Sequence, residues 1–200
     1  MRFALVLLAT STAAAQPTRN LEMRYLRSEN LHIANQGGAM NWFDEVTLRL
    51  ELRANGKLAG AETGKQRKHD LHVRGSSSYT TEDLQQWTHK WSGTWKQSGA
   101  ALALDVVLDS RTCTRVKTSS DAPSETKTCG TVTKQIHFDC TSEQISIYLT
   151  GRAAKVTRDI WQCLPAGTVD LDRTPTSWVF GKTSCVKRLG GMSGMSYESC

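Results

Sequence analysis

Leu102, Leu104, Val106 and Leu108 alternate with Ala103, Asp105 and Val107. A two-residue period of that length calls for an extended strand with one dry face, because successive side chains leave a strand on opposite sides. The cysteines indicate what lies beside it. If Cys113 and Cys129 close a hairpin, its turn centres near Asp121, inside the polar stretch Ser119–Ser124. Val106 then falls opposite Ile136, Leu104 opposite Phe138, and Leu102 opposite Cys140. The apolar faces coincide in that register, and a slip of one residue would set them on opposite sides. The cysteine pair itself would sit on the other face, so a bulge or twist is expected near it. Closing a loop of this size stabilises a fold by about 3 kcal/mol on the chain-entropy view.

All six cysteines lie at or beyond Cys113: Cys113, Cys129, Cys140, Cys163, Cys185 and Cys200. An even, widely spaced set behind an export signal reads as three disulfides, with Cys140–Cys163 and Cys185–Cys200 as the remaining links. The export signal is residues 1–15. Arg2 supplies the positive start, Phe3–Ala9 the apolar run, and Ala13-Ala14-Ala15 the small residues at the cut. Residues 16–200 are then a single β-rich domain, secreted or periplasmic. No later stretch is long and apolar enough to span a bilayer as a helix.

Other segments carry weaker versions of the same pattern. Val46, Leu48, Leu50 and Leu52 share one face of a strand that runs into Asn55-Gly56, a tight-hairpin pair. Gly60 and Gly64 weaken the return strand, which is expected to be short. Residues 16–40 suit either a strand or a helix. Thr80–Asp83 resembles a helix start, and Leu84, Trp87 and Trp91 would share one side of a short helix. Ile145, Ile147 and Leu149 form a strand, Val156–Leu164 is less regular, and Trp178–Phe180 reads as the last strand before a glycine-rich tail too flexible to hold itself. The expected fold is mostly β: an antiparallel meander forming a small barrel or sandwich, with one short helix and a disulfide-linked C-terminal half. The alternative is α+β, with helices over 18–34 and 81–91 packed on one face of the sheet.

At 200 residues and 38% hydrophobic, the chain has material for one core. Its net charge of +6 favours anionic surfaces without forming a nucleic-acid stripe. The densest basic cluster, Lys65–His69, reads equally well as a solvated turn or as a binding site. His69 and His72 would meet at a metal only on a helix. Asp105 and Asp109 are four apart on a strand, about 13 Å, too far for one acid/base pair. Ser98 with His89 or His137 lacks a nucleophile-elbow frame. Gly190–Gly194 lacks the lysine of a phosphate loop. No catalytic residue, metal site or cofactor is assigned.

Six tryptophans remain, Trp42, Trp87, Trp91, Trp95, Trp161 and Trp178. Such rings build cores or line ligand cavities. Trp87, Trp91, Trp95 and Trp161 are the candidate ligand-binding residues. Gly93-Thr94-Trp95 resembles the Gly-x-Trp opening of lipocalin barrels over those three residues, which implies a meander topology. The resemblance brings no functional residue with it. The expected function is non-catalytic binding in the exported compartment, of a small apolar molecule or a glycan. The alternatives are a protein-interaction or inhibitor domain acting through a basic sheet surface and loops on another exported protein, and an exported hydrolase.

Overall fold

The structure is a computed structural model that describes residues 18–33, 38–148, 155–167, 169, 175, 177–191 and 194–198. The expected signal segment, Leu149 and Cys200 lie outside them. Among the described residues eleven strands follow one another: β1 (Arg19–Ile33), β2 (Gly38–Leu52), β3 (Lys57–Arg74), β4 (Ser77–Ser98), β5 (Ala101–Ser119), β6 (Glu125–Lys127), β7 (Gln135–Tyr148), β8 (Lys155–Pro165), β9 (Trp178–Phe180), β10 (Thr183–Gly191) and β11 (Gly194–Glu198). The wall runs β1-β2-β3-β4-β5-β7-β8-β9, antiparallel throughout, and curls until Gly181 N, just past β9, donates to Glu22 O of β1 at 2.9 Å. The result is a nearly closed barrel rather than a sandwich. Among the described residues, the one parallel ladder joins β10 to β1.

The register around the hairpin is the one the cysteines imply. Val106 pairs with Ile136, Leu104 with Phe138 and Leu102 with Cys140. Val116 pairs with Thr126, so the turn does centre at Asp121. Cys113–Cys129 and Cys140–Cys163 are both bonded, and Cys185 is also held in a disulfide. The bulge sits at Asp109, where the partners of β4 jump from Lys90↔Ser110 to Trp91↔Leu108. It reverses the parity of β5. Cys113 therefore stands opposite Trp87 and packs against the core, not on the other face as expected.

Among the described residues there is no helix. The stretch expected to be one, Thr80–Trp91, lies inside the 22-residue strand β4. The spacing misleads because positions four apart share a face both on a helix and on a strand. Trp87, Trp91 and Trp95 all face inward, and so do Gln85 and His89, whose polarity hides the two-residue alternation. Leu84, assigned to the tryptophan side, points the other way. Residues 19–33 are likewise strand, and Gly93-Thr94-Trp95 falls in the fourth strand rather than opening the barrel.

The return strand β3 is long, with 18 residues, because its glycines leave room for side chains packed against it, the Trp87 ring at Gly64 and Leu50 at Gly60. Gly60 pairs with Trp91 and Gly64 with Trp87. A Cβ on Gly64 would lie 1.9 Å from Cζ2 of Trp87, and one on Gly60 would lie 2.4 Å from Cδ2 of Leu50. Gly190, Gly191 and Gly194 of the glycine-rich C-terminal stretch also lie in strands, because the main-chain pairing of β10 with β1 and β11 holds them without side chains.

Gly64→Ala should lower stability by about 2–3 kcal/mol through overpacking. Gly75, which has nothing within 4 Å but a φ of +64°, should lose only about 1 kcal/mol on the same change. Trp87→Leu should recover part of the Gly64→Ala loss in a double-mutant cycle. Chemical denaturation of the four proteins checks this, and additive effects would contradict the interlock.

Candidate functional site

Inward positions of a barrel wall are apolar by default, so the buried polar ones are informative. Glu62 on β3 pairs with His89 on β4, and they are 0% and 1% exposed. The Glu62 carboxylate accepts the indole N–H of Trp87 at 2.8 Å and that of Trp91 at 3.3 Å. His89 Nδ1 lies 3.5 Å from the same carboxylate, and the imidazole meets Trp91 edge-on at 5.7 Å. Both ring nitrogens of His89 lack a hydrogen bond among the described residues. Trp91 continues to Trp178 at 5.8 Å, and Trp178 stacks on Phe138 at 4.1 Å. The site thus joins a carboxylate, an imidazole and three indoles in a dry interior.

The four candidate tryptophans divide. Trp87 and Trp91 meet at Glu62. Trp95 lies at the hairpin end and donates to Arg53 O at 2.9 Å. Trp161 is on the far wall, buried, with the Arg19 guanidinium 6.0 Å from its ring. Trp42 stands outside this group: Arg27 stacks on it at 4.0 Å, and its N–H donates to buried Asp44 at 2.8 Å.

A second constellation lies outside the barrel. His137 Nδ1 is 2.6 Å from Asp105 and its Nε2 is 3.2 Å from Asp139. The hydrogen bond to Asp105 raises the imidazole above its ordinary pKa; desolvation opposes it, and the Asp105 charge and Asp139 add to the rise. The hairpin register sets Asp105 opposite His137, so this contact was readable from the sequence and went unread.

Sequence-level candidates elsewhere stay apart. His69 and His72 sit on opposite faces of β3, as residues three apart on a strand must. Asp109 receives the Ser92 hydroxyl at 2.7 Å at the bulge and does not meet Asp105's partner. Ser98 is nine residues from His89 along one strand, about 30 Å. Lys65–His69 is not a turn but part of β3, with Arg67 bridged to Glu82 and Lys68 to Asp70. Glu62 was missed although the Asn55-Gly56 hairpin places it opposite inward-facing Leu48.

Two grooves lie at the seam. One of about 540 Å³ is lined by Asn20, Glu22, Arg24, Asp159 and Gly181–Thr183. A neighbour of about 320 Å³ adds Arg19, Leu21 and Trp161. No helix among the described residues is long and apolar enough to cross a membrane. Comparison with protein-family models, curated proteins and solved structures finds no match to this chain.

Two measurements check these contacts. Glu62→Leu should cost about 2–5 kcal/mol, because two indole N–H groups lose their acceptor in a dry interior. His137 should titrate above the ordinary histidine range by NMR, and Asp105→Asn should bring it down. A raised folded-state value means that this contact stabilises fully below the unfolded histidine pKa. The contribution disappears as pH rises through the folded value. Its effect on global stability should be small, since the ring is 42% exposed.

Proposed function

We propose that this protein is a non-catalytic binding module of the exported compartment that recognises another protein through the outside of its barrel. The observation that carries the reading is how the interior tryptophans are used. The indole N–H groups of Trp87, Trp91 and Trp95 are all bonded within the fold, and Gly64 has no room even for a methyl group beside Trp87. Rings held in that way work as a core. The exterior offers open grooves at the seam, and the disulfides suit a chain that works in an oxidising compartment.

A small apolar ligand or a glycan held by Trp87, Trp91, Trp95 and Trp161 is the competing reading, and it separates cleanly. Titrating folded, disulfide-intact protein with a panel of apolar ligands and oligosaccharides should leave the tryptophan emission unchanged. Saturable quenching at low ligand ratio would move recognition to the interior and defeat the exterior reading.

A further inference from the structure

β1 and β8 run in the same direction, because each neighbour along the wall between them reverses. β9 lies beside β8 for three residues and pairs with it at Trp161–Cys163. At Gly181 the chain turns away, and from Thr183 onward β10 covers the edge of β1 beginning at Arg24. Below that level, the edges of β1 and β8 face each other across a gap.

Gly181 measures the gap. Its N–H reaches Glu22 O at 2.9 Å, and a Cβ on it would lie 2.6 Å from Asp159 O. One residue of main chain therefore spans from β1 to β8, the width of a single strand. The groove of about 320 Å³ continues that space downward between Arg19–Glu22 and Asp159–Trp161. Alternate residues of an antiparallel strand aim both main-chain groups to the same side. Since Glu22 O points into the gap, the N–H of Glu22 and both main-chain groups of Asn20 point there too. No main-chain hydrogen bond to Asn20 from across the gap occurs among the described residues.

The charges at its rim are uneven. Glu22 is bridged to Arg49 and Arg24 to Glu45. Asp159 receives Gln144 at 3.2 Å. Arg19 and Lys182 have no carboxylate partner among the described residues. Two uncompensated cations thus face one uncompensated carboxylate.

We propose that this gap is a docking slot for an extended acidic segment of a partner protein, which adds as a strand antiparallel to both β1 and β8. The proposal rests on exterior recognition and names its site. Main-chain bonds to Asn20 and Glu22 supply the affinity, as in other strand additions. Arg19 and Lys182 select for Asp or Glu on the incoming strand.

The test is selection from a displayed library of random nine-residue peptides on the folded, disulfide-intact protein, followed by NMR with one enriched peptide. The enriched set should be poor in Pro and rich in Asp and Glu alternating with β-branched residues. The amides of Asn20 and Glu22 should shift and exchange at least tenfold more slowly. Asn20→Pro removes an N–H that points away from β2, so the ladder survives while peptide affinity should fall tenfold or more. If that variant does not fold, Lys182→Glu decides: it should weaken acidic peptides and favour basic ones. Failure to enrich any peptide, shifts confined to other strands, or affinity indifferent to both substitutions would overturn the slot. With silent tryptophans, such a result removes the slot alone. Tryptophan quenching by small ligands would instead remove the exterior reading on which it stands.

Discussion

Across β3 and β4, the large indoles of the barrel stand over residues that have no side chain. Gly64 receives the Trp87 indole, and Gly60, opposite Trp91, makes room for the Leu50 side chain. Much else depends on this interlock. Each indole buries on the order of 150–250 Å², and at about 25 cal/mol per Å² that is among the largest single contributions a residue can make. Two glycines in a strand would ordinarily weaken it. Here Gly64 lets the Trp87 ring approach the β3 main chain and Gly60 admits Leu50, so the pair of strands stays together well past the point where the glycines alone would end it.

The interlock also accounts for Glu62. Flanked by Gly60 and Gly64 on the inward side of β3, it lies beneath two rings whose N–H groups need an acceptor. A carboxylate with two oxygens serves both. A buried carboxyl group is tolerated when hydrogen bonds take the place of water, and the same low-polarity surroundings strengthen those bonds. Trp91 then carries the packing on to Trp178, Phe138 and Phe180, which join the short β9 to the rest of the core. Aromatic contacts hold that wall in place where the ladder between β9 and β1 is missing, and the seam can stay open below Gly181 without loosening the core.

Legibility varied with the kind of signal. The hairpin of β5 and β7 was readable because two independent patterns, apolar alternation and cysteine spacing, agreed on one register. The same register already placed Asp105 against His137. β4 was misread because its inward face mixes tryptophan with Gln85 and His89, and a spacing of four fits two periods at once. The length of β3 was misread because a glycine looks like weakness until its neighbour across the ladder is known. Cys113 turned inward because a single extra residue, Asp109, shifted the parity of everything after it.

By itself, the sequence determined the strand content around residues 46–52 and 102–108 and the one register in which the apolar faces of 102–108 and 136–140 agree with a Cys113–Cys129 link; the structure selected that link and Cys140–Cys163 from the fifteen pairings six cysteines allow. The strand content and the register follow from local periodicity and from the short reach of a disulfide. Only the tertiary structure decided that the sheet closes into a barrel, that Trp87 fills the space over Gly64 while Trp87 and Trp91 share the buried Glu62 carboxyl group, and that β9 leaves its lane half filled. Each of those depends on residues distant along the chain meeting face to face, and no local period encodes which strand edge another will reach.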